Sequence, residues 1–192
     1  MGRRKGPSLT KQQVVDASVQ IVRTEGADAL GVSRVARELG IRPPSLYNHV
    51  ESGDDLCRAV VAAATHELVE TFKGKLRGIV EPREQLRTLA YAVRDWAREN
   101  GGLYALMARV EPEPDHPDVV AINQDLLDMF ARPLGQLGVP PEHRVHAIRG
   151  LRAAIHGFVL LESGGQFQMK EDPEVSFGWM VRALIQGLEE PV

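Results

Sequence analysis

Two adjacent prolines, Pro43 and Pro44, constrain this chain more than any other feature of its sequence. Proline has no backbone N–H and a fixed φ, so a helix accepts it only in the first turn, where the amides lack intrahelical partners anyway. The pair marks a helix start. Just beyond it, Leu46 and Val50 stand four apart on one side of a helical turn and can bury together. Arg42, Ser45, Asn48 and His49 then spread over the outer arc. Upstream, residues 32–39 (VSRVAREL) put Val32, Val35, Ala36 and Leu39 on one stripe. Gly40 follows where a helix reverses through positive φ. Helix, glycine turn and short polar-faced helix are the outline of a helix-turn-helix.

The flanking residues extend this unit. Residues 1–9 are expected to be a flexible basic arm, suited to phosphates or a minor groove and equally to solubilising the chain. Thr10 offers a hydroxyl cap to a first helix that buries Val14, Val15, Ala17, Ile21 and Val22 and ends at Gly26. Ser52 is placed to cap a fourth helix, with Asp54 and Asp55 at the positive end of its dipole. Charge divides the same way. Of a net −3, residues 1–53 carry +3, from eight Lys or Arg against five acids, and the remainder carries −6. A basic head on an acidic body fits one part that meets phosphate and another that does not.

Helical spacing continues to the end of the chain. Residues 54–75 read as a long helix through Val60, Val61, Ala64, Leu68 and Phe72, and 82–100 as a fifth with Leu86, Leu89, Ala90, Val93, Trp96 and Ala97 on one side. Gly101-Gly102 is expected to end it, before a short apolar segment over 103–110. Residues 111–118 form a proline-rich acidic loop. Pro117, Pro140-Pro141 and Pro173 each open a further helix, with a kink expected at Pro133. No strand alternation is found, so the class is all-α: a three-helix head over 10–53 and a larger helical body over 54–192.

Several functions are excluded on chemical grounds. Charged residues are 26% of the chain and no apolar run approaches the length of a span, so no membrane partner is expected. The basic start is followed by no apolar segment, which argues against a secretory signal and for the cytoplasm. Cys57 is the single cysteine, so no internal disulfide or cysteine-built zinc site can form. His143 and His146 stand three apart but lack a nearby third ligand, and no metal or cofactor is expected. No nucleophile sits beside a base and no glycine loop precedes a lysine, so the chain does not read as an enzyme.

Residues 10–60 resemble the N-terminal DNA-binding domain of TetR-type transcriptional regulators, on Ala36, Leu39, Gly40, Leu46-Tyr47, His49, Val50 and Leu56. The resemblance implies that Ser33 and Arg34 touch phosphate or a base edge, and that Arg42, Pro43, Ser45, Asn48 and His49 face the major groove. Tyr47 would bond a phosphate through its hydroxyl, although a core aromatic is the alternative for it. Two departures imply a weaker grip on the backbone. Gly53 stands where the family carries a phosphate-holding lysine, and Val32 where a small or hydroxyl residue is common. Residues 151–167, with His156-Gly157, resemble a C-terminal ligand-domain variant marked by tryptophan and then His-Gly, with Leu151 or Arg152 at the tryptophan position.

A body this large has two available jobs, dimerisation and ligand sensing. Its last two helices are apolar over more than one face and would pair with a second copy as a four-helix bundle. Two heads on a two-fold axis read a palindromic double-stranded DNA operator. Trp96, Tyr104, Met107, Phe130 and His156 are the candidates to line a pocket for a small-molecule effector, though each is equally suited to a core. The resemblance further implies that the fourth helix is the lever through which an effector moves the head. The expectation is a dimeric repressor released from its operator by a ligand. An activator of the same fold, or an all-α ligand carrier or enzyme without DNA binding, is the alternative.

Overall fold

The computed structural model describes residues 9–110 and 117–188, so the arm over 1–8 and the loop over 111–116 lie outside the described residues. The helices are α1 (Lys11–Glu25), α2 (Val32–Glu38), α3 (Pro43–Leu46), α4 (Gly53–Lys75), α5 (Pro82–Glu99), α6 (Gly101–Arg109), α7 (Pro117–Gln136), α8 (Pro141–Ser163) and α9 (Pro173–Gly187). A 3-10 turn, Ala27–Ala29, stands between α1 and α2. No strand occurs among the described residues, and the fold is all-α. Two compact units result. The first holds Met1–His66 with Asn100–Val119, and the second Glu67–Glu99 with Val120–Val192.

In the first unit, α1 opens on a capping box, in which the Thr10 hydroxyl accepts from the Gln13 amide and the Gln13 side chain accepts from the Thr10 amide. Val14, Ile21, Val35, Leu46, Val50 and Leu56 form its core, with Leu9, Leu30, Leu39 and Ile41 packed against it. The chain reverses after α2 at Gly40, whose φ is 66°. A residue without Cβ adopts that conformation free of left-handed strain. Ser52 caps α4 as its position implied, with its Oγ accepting from the Asp55 amide at 3.0 Å.

Helix α6 belongs to this unit too. Gly101-Gly102 opens α6 rather than merely ending α5, and the reason is packing. A Cβ on Gly102 would lie 2.3 Å from the Val22 carbonyl oxygen, so α6 can lie on α1 only with glycine there. Arg23 Nε donates to Asn100 Oδ1 at 2.9 Å, and Arg109 pairs with Asp28 at 2.7 Å.

The second unit is built on Phe72, Leu86, Leu89, Leu134, Phe177 and Val181, all essentially inaccessible to water. Among them sits a charge. Arg94 of α5 is fully buried, and its Nε and Nη2 grip Glu162 of α8 at 2.9 and 2.7 Å while Nη1 donates to Glu174 of α9 at 2.7 Å. Its guanidinium lies 4.6 Å from the Phe177 ring centre and 5.4 Å from that of Phe158. A buried cation is tolerated when its hydrogen bonds and charge are both met, as they are here.

Candidate nucleic-acid interface

Helix α3 is four residues long, preceded by Arg42 in extended backbone and begun by Pro43-Pro44. It is continued by a tight turn in which the His49 and Val50 amides both donate to the Leu46 carbonyl, at 2.9 and 3.2 Å. Leu46 and Val50 are 0% and 2% exposed, so the element hangs on these two side chains and cannot roll. What remains faces water. Arg42, Pro43, Ser45, Tyr47 and Asn48 are exposed and His49 is half-buried. Tyr47, at 54% exposure, is not a core aromatic, and its hydroxyl is available to a partner. None of Arg42, Ser45, Tyr47, Asn48 and His49 forms a side-chain hydrogen bond to another described residue. Their donors and acceptors are not taken up within the protein and are available to an external ligand.

Helix α2 presents its two candidates differently. Ser33 is exposed on the first turn. Arg34 is held by carboxylates on both sides: Nε donates to Glu25 Oε2 at 3.1 Å, Nη2 to Glu25 Oε1, and Nη1 to Glu38 Oε2 at 2.8 Å. The hydrogen bonds from Arg34 hold the Glu25 carboxyl below its ordinary range. Gly53, at the head of α4, has open space where a side chain would project.

The effector candidates are divided between the two units. Tyr104 and Met107 lie on α6 in the first unit, whereas Trp96, Phe130 and His156 lie in the second. Phe130 meets Phe72 edge to face with ring centres 6.4 Å apart. Burial, and secondarily the charge of Arg152, push the His156 imidazole below its ordinary pKa. The second unit also carries a groove of about 450 Å3 between the end of α4 and α7, floored by Leu76, Ile79, Met129 and Pro133 and edged by Lys73 and Arg132. None of the five lines it. No sequence pattern signals this groove, because it forms only when α7 returns beside α4. Arg94 was missed as well, and a cation inside an apolar stripe of α5 was the available signal. Among the described residues no three His, Cys, Asp or Glu side chains gather to hold a metal, and no helix is long and apolar enough to cross a membrane.

Comparison with known proteins gives concordant matches. The family model described as tetracyclin repressor-like, C-terminal domain, matches residues 86–184. The HTH-type transcriptional regulator YobS of Bacillus subtilis is 29% identical over 94% of this chain and 93% of its own length. Among solved structures, apo ActR of Streptomyces coelicolor superposes with a TM-score of 0.74 at 19% identity, over 96% of this chain and 97% of that one. BioQ bound to its double-stranded DNA operator gives a TM-score of 0.70 at 21% identity, over 95% and 99%.

Proposed function

The chain belongs to the tetracyclin repressor-like family, and from that premise we propose a dimeric repressor that holds a palindromic operator and releases it when a small molecule binds its body. The observation that carries this is the α3 face, where Arg42, Ser45, Tyr47, Asn48 and His49 project from a rigidly anchored turn with no internal partner. Arg42 suits the O6 and N7 of guanine and Asn48 the N6 and N7 of adenine, each contact being worth about 1–3 kcal/mol of discrimination. Tyr47 and Ser33 suit backbone phosphates.

Two further observations support the rest of the proposal. Val145, Leu160 and Leu161 of α8 and Val175 and Trp179 of α9 are exposed, an apolar surface that a second copy would cover. The effector would act from the second unit, where Trp96, Phe130 and His156 lie and where His156-Gly157 carries the likeness to the Trp-His-Gly variant. To take occupancy from nearly full to nearly empty, it must favour the released shape by about 5.5 kcal/mol.

The test is selection of bound fragments from a randomised duplex pool, followed by fluorescence anisotropy on the winner. An inverted repeat with half-sites about 10 base pairs apart, or a multiple of that, is expected. Failure to enrich any sequence over random duplex at low salt would refute DNA reading altogether.

A further inference from the structure

Arg34 stands on the helix that precedes the reading turn, and its charge is already spent. A guanidinium has five N–H donors. Three of them go to the carboxylates of Glu25 and Glu38, and the side chain retains 21% of its exposure. With Arg37, whose charge also acts on Glu25, two positive and two negative charges leave the cluster neutral, so it carries no excess positive charge to draw a phosphate. A phosphate approaching it would meet carboxylates as well as the arginine, with two of its five N–H donors left to receive it. The cluster also has a mechanical meaning. Glu25 is the last residue of α1, Arg34 lies in the first turn of α2 and Glu38 ends α2, so the two-pronged bond crosses the turn between the helices. The angle between α1 and α2 sets where α3 is presented, because Val14 and Ile21 of α1, Val35 of α2 and Leu46 of α3 share one core.

We propose that Arg34 is a positioning residue, a strut clamped between Glu25 and Glu38 that fixes α2 against α1, and that it does not bind phosphate. This rests on the DNA-reading proposal above. The distinction is chemical. Lysine binds phosphate well as a point charge but cannot reproduce a forked, two-carboxylate grip.

The experiment measures anisotropy of the selected duplex against full-length wild type, Arg34→Gln, Arg34→Lys and Glu25→Gln over a range of KCl, with circular dichroism to confirm folding. A strut predicts that both Arg34 variants bind roughly 5-fold more weakly at fixed salt, with the slope of log affinity on log salt unchanged. Glu25→Gln should weaken binding in the same direction, although it removes a negative charge. A phosphate contact predicts the opposite pattern. Arg34→Lys would then bind like wild type, Arg34→Gln would lose about 1 from the slope per head, and Glu25→Gln would bind more tightly by freeing the arginine. Any of these three outcomes overturns the proposal, as does wild-type affinity in every variant. Should Arg34→Gln fail to fold, the Arg34→Lys and Glu25→Gln results still decide. A wild-type protein that selects no duplex defeats the DNA-reading proposal instead.

Discussion

Gly40 and Gly53 make opposite demands on a side chain. At Gly40 the backbone sits at φ 66°, so Gly40→Ala forces an L-residue into left-handed space and is expected to cost about 1 kcal/mol, seen as a lower urea midpoint at unchanged m-value. At Gly53 φ is not left-handed and nothing lies within 4 Å of the position a Cβ would take. Gly53→Lys therefore fits, and it restores the phosphate-holding residue that the family resemblance implies there. Its charge opposes the α4 dipole by a few tenths of a kcal/mol. Against that, random duplex should bind more tightly, with the salt slope steeper by about 1 per head in an anisotropy titration. An unchanged slope would mean that the head of α4 does not approach the backbone. At this scale the sequence was legible wherever the chemistry is local. Thr10, Ser52, Pro43 and Gly40 act on neighbours within a few residues, and their roles follow from those neighbours. Of the two partners of Arg34, Glu38 is four residues on along the same helix, but Glu25 lies nine residues back on another, and only the folded turn shows the two-pronged grip.

At the level of elements, α5 is fastened to α8 and α9 by charge as much as by packing. Helix periods fixed its apolar stripe, but Arg94 lay outside any expectation because a buried arginine needs partners, and Glu162 and Glu174 stand far along the chain. The same remoteness hid the role of α6, since spacing alone cannot say that Gly102 presses on α1. The buried pairing has a pH signature. Hydrogen bonds from Arg94 and then Arg98 hold the Glu162 carboxyl down at about 2, below an ordinary value of 4.5. A depressed carboxyl stabilises the fold fully above its unfolded pKa, and that stability disappears as pH falls through the folded pKa. Unfolding free energy should thus fall between about pH 4.5 and 2, by up to about 3 kcal/mol from this group, and Glu162→Gln should flatten that portion of the profile. Arg94→Met leaves Glu162 half-buried with Arg98 as its remaining partner. It should cost about 3 kcal/mol at neutral pH, measured by urea unfolding at fixed protein concentration.

For the molecule as a whole, the decisive matter is whether one copy reads DNA or two. Trp179 and Val175 are 69% and 71% exposed on α9, a large apolar area for a surface with no partner. If α8 and α9 pair with a second copy, Trp179→Glu places a charge in the bundle and should shift the protein to monomer in sedimentation equilibrium, while α1–α3 fold as before. Operator reading then changes in a specific way. A single head still contacts its half-site, but the second is no longer delivered at a fixed spacing, so affinity for the inverted repeat should fall toward that for one half-site. Phosphate contacts halve with it, and the salt slope should drop to about half the wild-type value. A Trp179→Glu protein that stays dimeric and keeps its slope would move the interface away from α9. One that becomes monomeric yet holds the full repeat at wild-type affinity would show that pairing is not what sets operator choice.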